Sequence, residues 1–365
     1  MFAGCGAMST GLNRAGIEHA ALVEFNRMAC ETLRRNFCAV PGDGPGVLEK
    51  DVRGVDWRSF QGVDVVAGGP PCQPFSNGGR GAGERDARDM WPEAIRAVRE
   101  IRPKAFLFEN VQGLLRPAFS DYLSRIVVEL ECGGGSPESA PCLYEVAVIP
   151  VDAANYGAAQ RRKRVLVAGV RTDVGVLTPF PRPTHSAERL VYDKWLSADY
   201  WKRHELPSPD VVTASFAERT ILKRMGPRIR PVEQPWQTCR DAFLGLGEPL
   251  APASVLGHEP ASGVARQYPG HTGSRADLPS RALKAGVNGV PGGENMLASE
   301  DGVCRYFTVR EAARLQGLPD SFLPYGRYSE AMRQLGNAVP AQLAEVAGRW
   351  LSDIVMSDDT TRAEE

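Results

Sequence analysis

Residues Val63 to Ser76 read VDVVAGGPPCQPFS, an apolar run that stops at two glycines and is followed by two prolines, a cysteine and another proline. A short apolar run closed by Gly and Pro is the pattern of a buried strand entering a loop. Proline fixes φ, so Pro71 and Pro74 hold the backbone around Cys72 rigidly. Open α/β sheets place their active sites in loops at the carboxyl ends of strands. A buried inert cysteine needs no such frame, and Cys72 is therefore the first candidate for a reactive group.

Outward from this segment, similar apolar runs occur at ALVEF, KAFLFEN, YEVAVIPV and RVLVAGV, separated by helix-like stretches at Arg88 to Glu100 and Asp121 to Glu131. That alternation, from Gly16 to about Gly169, predicts an α/β fold with a parallel, doubly wound sheet and helices on both faces. Beyond Thr178 the texture changes to proline-punctuated sequence such as PFPRPTHS, ELPSPD and GEPLAPAS. A smaller, irregular, loop-rich domain is expected there. Helical patterning returns at Thr308 to Leu315 and Pro340 to Ile354. The expected organisation is thus 1–177 for the first part of a catalytic domain, 178–301 for the second domain, 302–355 for a return to the first, and 356–365 for an acidic, disordered tail.

Composition narrows the class. The chain has 365 residues, 43% of them apolar and 24% charged, which is ordinary for a soluble globular protein. No run approaches the ~18 apolar residues of a membrane span. The start, MFAGCGAMSTGL, lacks the basic n-region of a signal peptide, so a cytoplasmic location is expected. Eight cysteines without a Cys-x-x-Cys pair argue against zinc and against a disulfide framework; most are expected to be small buried hydrophobes. A net charge of −1 offers no global attraction to nucleic acid. Any DNA binding must rest on local clusters, of which Arg161 to Arg164 and the set Arg219, Lys223, Arg224, Arg228 and Arg230 are two.

Several further residues suggest chemistry. The stretch Phe2 to Met8, FAGCGAM, has the form of a glycine-rich turn before a helix, where backbone N–H groups approach a ligand closely. Glu24 closes the next apolar run, where an acid commonly accepts hydrogen bonds from ribose hydroxyls. Glu109 closes the strand AFLFENV and is either a helix cap or an acid–base group. Gln160-Arg161-Arg162-Lys163-Arg164 runs into VLVAGV, and strand alternation would turn Arg162 and Arg164 towards one anion or base. The glycine-rich segment Asn77 to Gly83 reads as a loop able to close over a substrate.

Taken in order, these segments resemble the DNA cytosine-5 methyltransferases over nearly the whole chain. FAGCGAMSTG resembles the first motif, LVEF the second, Lys50-Asp51-Val52 the third, GGPPCQPFS the nucleophile motif, ENV the next catalytic one and QRRKR the Q-x-R-x-R motif. FTVREAARLQGLPDSF and GNAVP are similar to the ninth and tenth. The resemblance implies a Rossmann-like fold that binds S-adenosylmethionine (SAM), releases S-adenosylhomocysteine and uses no metal. It implies that Cys72 adds to C6 of a flipped-out cytosine, that Glu109 acts at N3 and Arg164 at O2, and that Arg162 supports the same pocket. It assigns the cofactor to Phe2, Gly4, Gly6, Glu24, Asp51, Pro71 and Asn337, and target recognition to 178–301.

The DNA contacts expected are Gln73 and Ser76 beside the nucleophile, Arg219 and Arg228 on phosphates, and Arg266, Arg275, Arg281 and Lys284 on glycine-rich loops. Double-stranded DNA is the implied partner. A monomer in the bacterial cytoplasm, associated with the nucleoid, is expected, with a cognate restriction endonuclease reading the same site without binding this chain. Two departures from the family pattern stand out. Ala7 and Ala338 replace the usual glycine and serine, and only Met1 precedes Phe2 where the family has an apolar strand. The second departure leads to the expectation that the natural protein starts upstream. Two rival functions fit parts of the sequence: a transfer-RNA cytosine-5 methyltransferase, which shares the proline-cysteine and ENV motifs but has a shorter recognition region, and a catalytically weak DNA-binding protein of the same fold. Intact Cys72, Glu109 and Arg164 speak against the latter. A dehydrogenase leaves GGPPCQPFS and QRRKR unexplained.

Overall fold

A computed structural model describes residues 1–38, 46–71, 89–133, 142–225, 230–261, 265, 272–285, 295–298 and 303–363, with side chains to 356. Cys72, Gln73, Ser76, the segment 77–83, Arg228 and Arg266 lie outside the described residues.

The strands of the first half are β1 (Ala21–Glu24), β2 (Gly46–Glu49), β3 (Val65–Gly68), β4 (Ala105–Val111), β5 (Tyr144–Asp152), β6 (Gln160–Arg161) and β7 (Lys163–Arg171). Four of them form a sheet in the order β3-β4-β7-β5, while β1 and β2 pair parallel to each other. Met1 to Ala3 lie between the two groups. The Met1 amino group donates to Ala67 O at 2.8 Å, and the Ala3 N–H donates to Val23 O at 3.0 Å. The chain thereby delivers Phe2 and Gly4 to the carboxyl ends of β1 and β3.

The sheet is not parallel throughout. β3 and β4 are parallel, but β7 runs antiparallel to both β4 and β5. Residues 153 to 162 between β5 and β7 are too few for the crossover that a parallel pair needs, which takes a dozen residues or more. The chain instead turns back, and β7 inserts between β4 and β5 in a register that sets Val111 opposite Arg164.

Helices cover both faces. α1 (Ala7–Arg14) follows the first loop and α2 (Arg27–Phe37) follows β1; α3 (Trp91–Ile101) and α4 (Ser120–Glu131) flank β4. Strand β4 shows the two-sided burial directly: Phe106 and Phe108 pack with Trp91, Ile95 and Leu130, while Ala105 and Leu107 pack with Leu12, Leu343 and Leu351 on the other side. Alternating residues on a strand face opposite ways, so one apolar run serves two cores.

The region after Thr178 contains the helices α5 (Ala187–Trp195), α6 (Asp199–Arg203), α7 (Phe216–Met225) and α8 (Cys239–Phe243). Its described strands are β8 (His185–Ser186), β9 (Gln234–Pro235), β10 (Ser274–Arg275), β11 (Ser280–Arg281) and β12 (Met296–Ala298), two or three residues each. A small core of Leu190, Tyr200 and Trp201 anchors its first part. Beside it Lys194 and Glu218 form a buried ion pair, with the Lys194 ammonium 5.3 to 5.8 Å from the ring centres of Trp195, Tyr200 and Trp201. Strand β11 pairs parallel with β6, which splices this region onto the QRRKR segment.

The chain then returns through β13 (Cys304–Tyr306), α9 (Val309–Leu315), α10 (Tyr328–Asn337) and α11 (Ala341–Ala363). A capping box, Thr308 with Glu311, starts α9. α11 packs closely on α1, for a Cβ on Gly11 would lie 2.2 Å from Ala341 O. α11 continues to Ala363, into the 356–365 stretch expected as a disordered tail. Once formed, a helix adds one hydrogen bond per residue and outlasts its apolar face.

Candidate active site

The carboxyl ends of β1, β3 and β4 and the end of α10 converge on a cavity of about 770 Å³ lined by Phe2, Gly4, Gly69, Glu109, Gln334 and Asn337, among others. Gly4 and Gly6 adopt φ of +55° and +87°, which favour glycine, and nothing lies within 4 Å of where a Gly4 Cβ would stand. The backbone there is open to a ligand. Glu24 is tied to this wall. One of its carboxylate oxygens accepts from the Gly4 N–H at 2.9 Å, the other from the N–H groups of Phe25 and Asn26 at 3.0 and 2.8 Å.

Asp51 caps the turn after β2 and pairs with Arg53 at 2.6 Å. The hydrogen bond from Arg53 holds the Asp51 carboxyl well below the usual range, at about 2, so it is ionised at neutral pH. Pro70 and Pro71 follow the glycine pair, and Asn110 Nδ2 donates to Pro70 O at 3.3 Å. Asn110 itself is held by the Val111 N–H at 2.9 Å. The segment that leads to Cys72 is thus anchored to the end of β4.

Glu109 is buried, with 8% of its surface exposed, and receives Arg164 Nε at 2.5 Å. The neighbouring strand makes this contact possible: β7 sets Arg164 opposite Val111, one diagonal step from Glu109 on the same face. A Cβ on Gly69 would lie 3.5 Å from Glu109 Oε2. A fixed acid and a guanidinium therefore stand directly above the glycine-proline turn.

Arg162 and Arg164 do not converge, contrary to the expectation from simple alternation. β6 ends at Arg161 and β7 begins at Lys163, so the strand breaks between them. Arg162 is buried and donates to the Leu283 carbonyl at 2.9 Å and to the Gly336 carbonyl at 2.8 Å. It braces the backbone instead of lining the pocket. Arg219, expected on phosphates, turns its Nη1 to the carbonyls of Val212 and Ala214 at 3.3 and 2.6 Å. Its neighbours Arg224 and Arg230 pair with Glu188 and Asp199, acids remote in sequence. Arg275, Arg281 and Lys284 are exposed and share one segment beside β6.

Three of the other thiols are held in inert forms. Burial pushes Cys5 up to about 12 and Cys30 to about 11, and raises Cys239 further. Sequence reading gave no role to Asn110, Gln160 or Asn295, although all three are buried and hydrogen-bonded across segments. Asn110 and Gln160 carried one signal, their place inside the ENV and QRRKR motifs, and Asn295 carried none.

Comparison with known proteins agrees with this geometry. The profile of the C-5 cytosine-specific DNA methylase family matches residues 1–237 and 253–352. A Type II methyltransferase of Neisseria gonorrhoeae, M.NgoMIV, is 30% identical over 96% of this chain and 95% of its own length. Another from Escherichia coli, M.Eco47II, is 31% identical over 96% of this chain and 77% of its own. Among solved structures, S. pombe Dnmt2 methyltransferase shares the fold, with a TM-score of 0.59 at 17% identity over 98% and 97% of the two chains. The chain belongs to the C-5 cytosine-specific DNA methylase family. It is a DNA cytosine-5 methyltransferase, an enzyme of a SAM-dependent family whose members act through a covalent cysteine adduct.

Proposed function

We propose that the chain methylates cytosine within a specific sequence of duplex DNA, with Cys72 as nucleophile, Glu109 as acid and Arg164 as its partner at the base. The observation that supports this most is Glu109, which lines the same cavity as Gly4 and Asn337 and is held above the glycine-proline turn by its ion pair with Arg164. Cytosine C5 is too weak a nucleophile to attack a methyl sulfonium unaided. The Cys72 thiolate adds to C6, and the electrons displaced reach C5. Glu109 supplies a hydrogen bond or proton at N3, and Arg164 holds O2, so that the charge developing on the ring is met by groups already in place.

SAM suits this place by its chemistry: Phe2, Asn337 and the open glycine backbone at Gly4 line the cavity, Gly6 completes the turn, and Glu24 for ribose hydroxyls and Asp51 and Pro71 for the adenine stand at its edge. When bound, it supplies the methyl group to C5. Loss of the C5 proton and expulsion of the thiolate then restore the ring. No step calls for a metal. A base inside a duplex hides C6, so the target cytosine must leave the stack, at ~a few kcal/mol.

Recognition of sequence falls to the region 178–301. Gln73, Ser76, Arg228 and Arg266 remain candidates for DNA contact alongside the exposed Arg275, Arg281 and Lys284. Given the internal bonds of Arg219, it is the weakest of the set. The Type II relatives make a companion restriction endonuclease part of this reading, and the expected state is a cytoplasmic monomer. Bisulfite sequencing of a plasmid incubated with the protein and SAM tests the proposal. Conversion-resistant cytosines should recur in one sequence context, and Cys72→Ala should produce none while still binding the duplex. Methylation of transfer RNA but not of the plasmid would contradict the DNA assignment.

A further inference from the structure

Leu283 and Lys284 are consecutive residues outside any strand or helix, yet buried side chains from elsewhere meet all four of their main-chain polar groups. Gln160 Oε1 accepts from the Leu283 N–H at 3.0 Å, and Arg162 Nη1 donates to the Leu283 carbonyl at 2.9 Å. Asn295 serves Lys284 on both sides: Oδ1 accepts from its N–H at 3.0 Å and Nδ2 donates to its carbonyl at 2.8 Å. Gln160 and Asn295 are fully buried and Arg162 is 2% exposed. A surface loop ordinarily leaves such groups to water. Here they are built into the interior.

The same seat touches the cofactor side. Arg162 Nη2 donates to the Gly336 carbonyl at 2.8 Å, immediately before Asn337. A Cβ on Gly336 would lie 2.3 Å from the Ala285 nitrogen and the Lys284 carbonyl carbon, so the two backbones rest directly on each other. Gln160 Nε2 also reaches the Leu315 carbonyl at 3.4 Å, which adds α9 to the junction. Three segments, from the QRRKR motif, the recognition region and the end of α10, therefore move as one or not at all. Buried polar networks of this kind rigidify the segments that they join.

We propose that Gln160, Arg162 and Asn295 are positioning residues that lock the recognition segment at Lys284 to the Gly336–Asn337 wall, so that duplex DNA and cofactor bind cooperatively through this seat. This rests on the reading above that 178–301 contacts DNA and Asn337 the cofactor. Exposed Arg281 and Lys284 flank Leu283, and force on them passes to Gly336 through the Arg162 guanidinium and through the direct contact of the two backbones. By linkage the effect is reciprocal: DNA tightens cofactor binding by the factor by which cofactor tightens DNA.

The test uses S-adenosylhomocysteine, which cannot react, and the duplex methylated by the wild type. Titration of the full chain with and without duplex should give an affinity ratio of about 10, within the ~5–150-fold range of such couplings. Asn295→Asp keeps the size and the acceptor but loses the donor to the Lys284 carbonyl. It should retain each separate affinity within about threefold while the ratio falls to near 1. Arg162→Lys, left with a single ammonium for two carbonyls, should also lower the ratio. Hydrogen exchange on the wild type supplies a readout that needs no variant: S-adenosylhomocysteine alone should slow exchange at 283–285, which it does not touch. A wild type that binds both ligands independently, a folded Asn295→Asp with the ratio intact, or unchanged exchange at 283–285 overturns the proposal. Failure of the wild type to bind either ligand contradicts the proposed function instead.

Discussion

In the sheet half of the molecule, β4 buries Phe106 and Phe108 on one side and Ala105 and Leu107 on the other, and helices close both faces. In the region from Thr178 to Asp301 the described strands have two or three residues, and buried or half-buried polar pairs stand where long apolar strands would be. Lys194 meets Glu218 inside an aromatic surround, and Asp277 joins Arg240 and the Tyr200 hydroxyl. The first half is shaped by apolar area, which is non-directional and tolerant. The second is shaped by directional bonds, each of which fails if one partner is lost. A reaction common to a family suits the tolerant half, and a recognition surface that must differ between relatives suits loops held at a few fixed points.

That contrast can be broken at defined places. The largest effect is expected at the chemistry itself. Glu109→Gln keeps the shape and removes the acid and the charge that holds Arg164. The chemical rate in single-turnover assays should fall by ~10²–10⁴-fold, with S-adenosylhomocysteine affinity little changed. A variant weakened only in cofactor binding would mean that Glu109 serves the wrong ligand here.

Lys194→Met should come next. It leaves the buried Glu218 without its cation, and removing one partner of a buried pair costs ~3–5 kcal/mol. Calorimetry should show an early transition confined to the region after Thr178, while the sheet half melts as before. A single transition at the wild-type temperature would refute the idea that polar pairs hold this region. The pair also sets a pH limit. Burial raises the Glu218 carboxyl, but the charge and hydrogen bond of Lys194 outweigh that and leave it below its ordinary 4.5. A depressed carboxyl stabilises the fold fully above its unfolded value and loses that contribution as pH falls through the folded one. The region after Thr178 should accordingly loosen only below about pH 4.5.

Glu24→Gln should have the smallest effect of the three. The amide can accept at one atom only, so the three N–H bonds of the carboxylate are not all kept. Charged hydrogen bonds are worth ~1.5–3 kcal/mol, and S-adenosylhomocysteine affinity should drop by about 10-fold or more without loss of maximal rate at saturating SAM. Unchanged affinity would show that Glu24 only shapes the turn.

Much of the sheet half was legible because its strands are short apolar runs ended by Gly, Pro or an acid, and Glu24 and Glu109 fall at those ends. The antiparallel insertion of β7 was not, since strand order depends on the length of the link between β5 and β7 and on packing, and alternation alone does not report it. Arg162 was misread for the same reason: alternation assumes an unbroken strand, and the break at Arg162 sends its guanidinium inward to two carbonyls. The basic set from Arg219 to Arg230 read as a local cluster because the acids that pair with Arg224 and Arg230, Glu188 and Asp199, lie earlier in the chain. Local sequence cannot show partners brought together by folding.

The proposed attack of Cys72 on the cytosine ring, beside Glu109 and its partner Arg164, is open to a decisive trap: a duplex with 5-fluorocytosine at the target position. Fluorine cannot leave C5 as a proton does, so after methyl transfer the thiolate stays bound. Wild-type protein with SAM should give a covalent protein–DNA species whose digest places the modification on Cys72, and Cys72→Ala should give none. No SAM-dependent adduct on a duplex shown to be methylated in its unfluorinated form, or an adduct on any other cysteine, would contradict this role of Cys72.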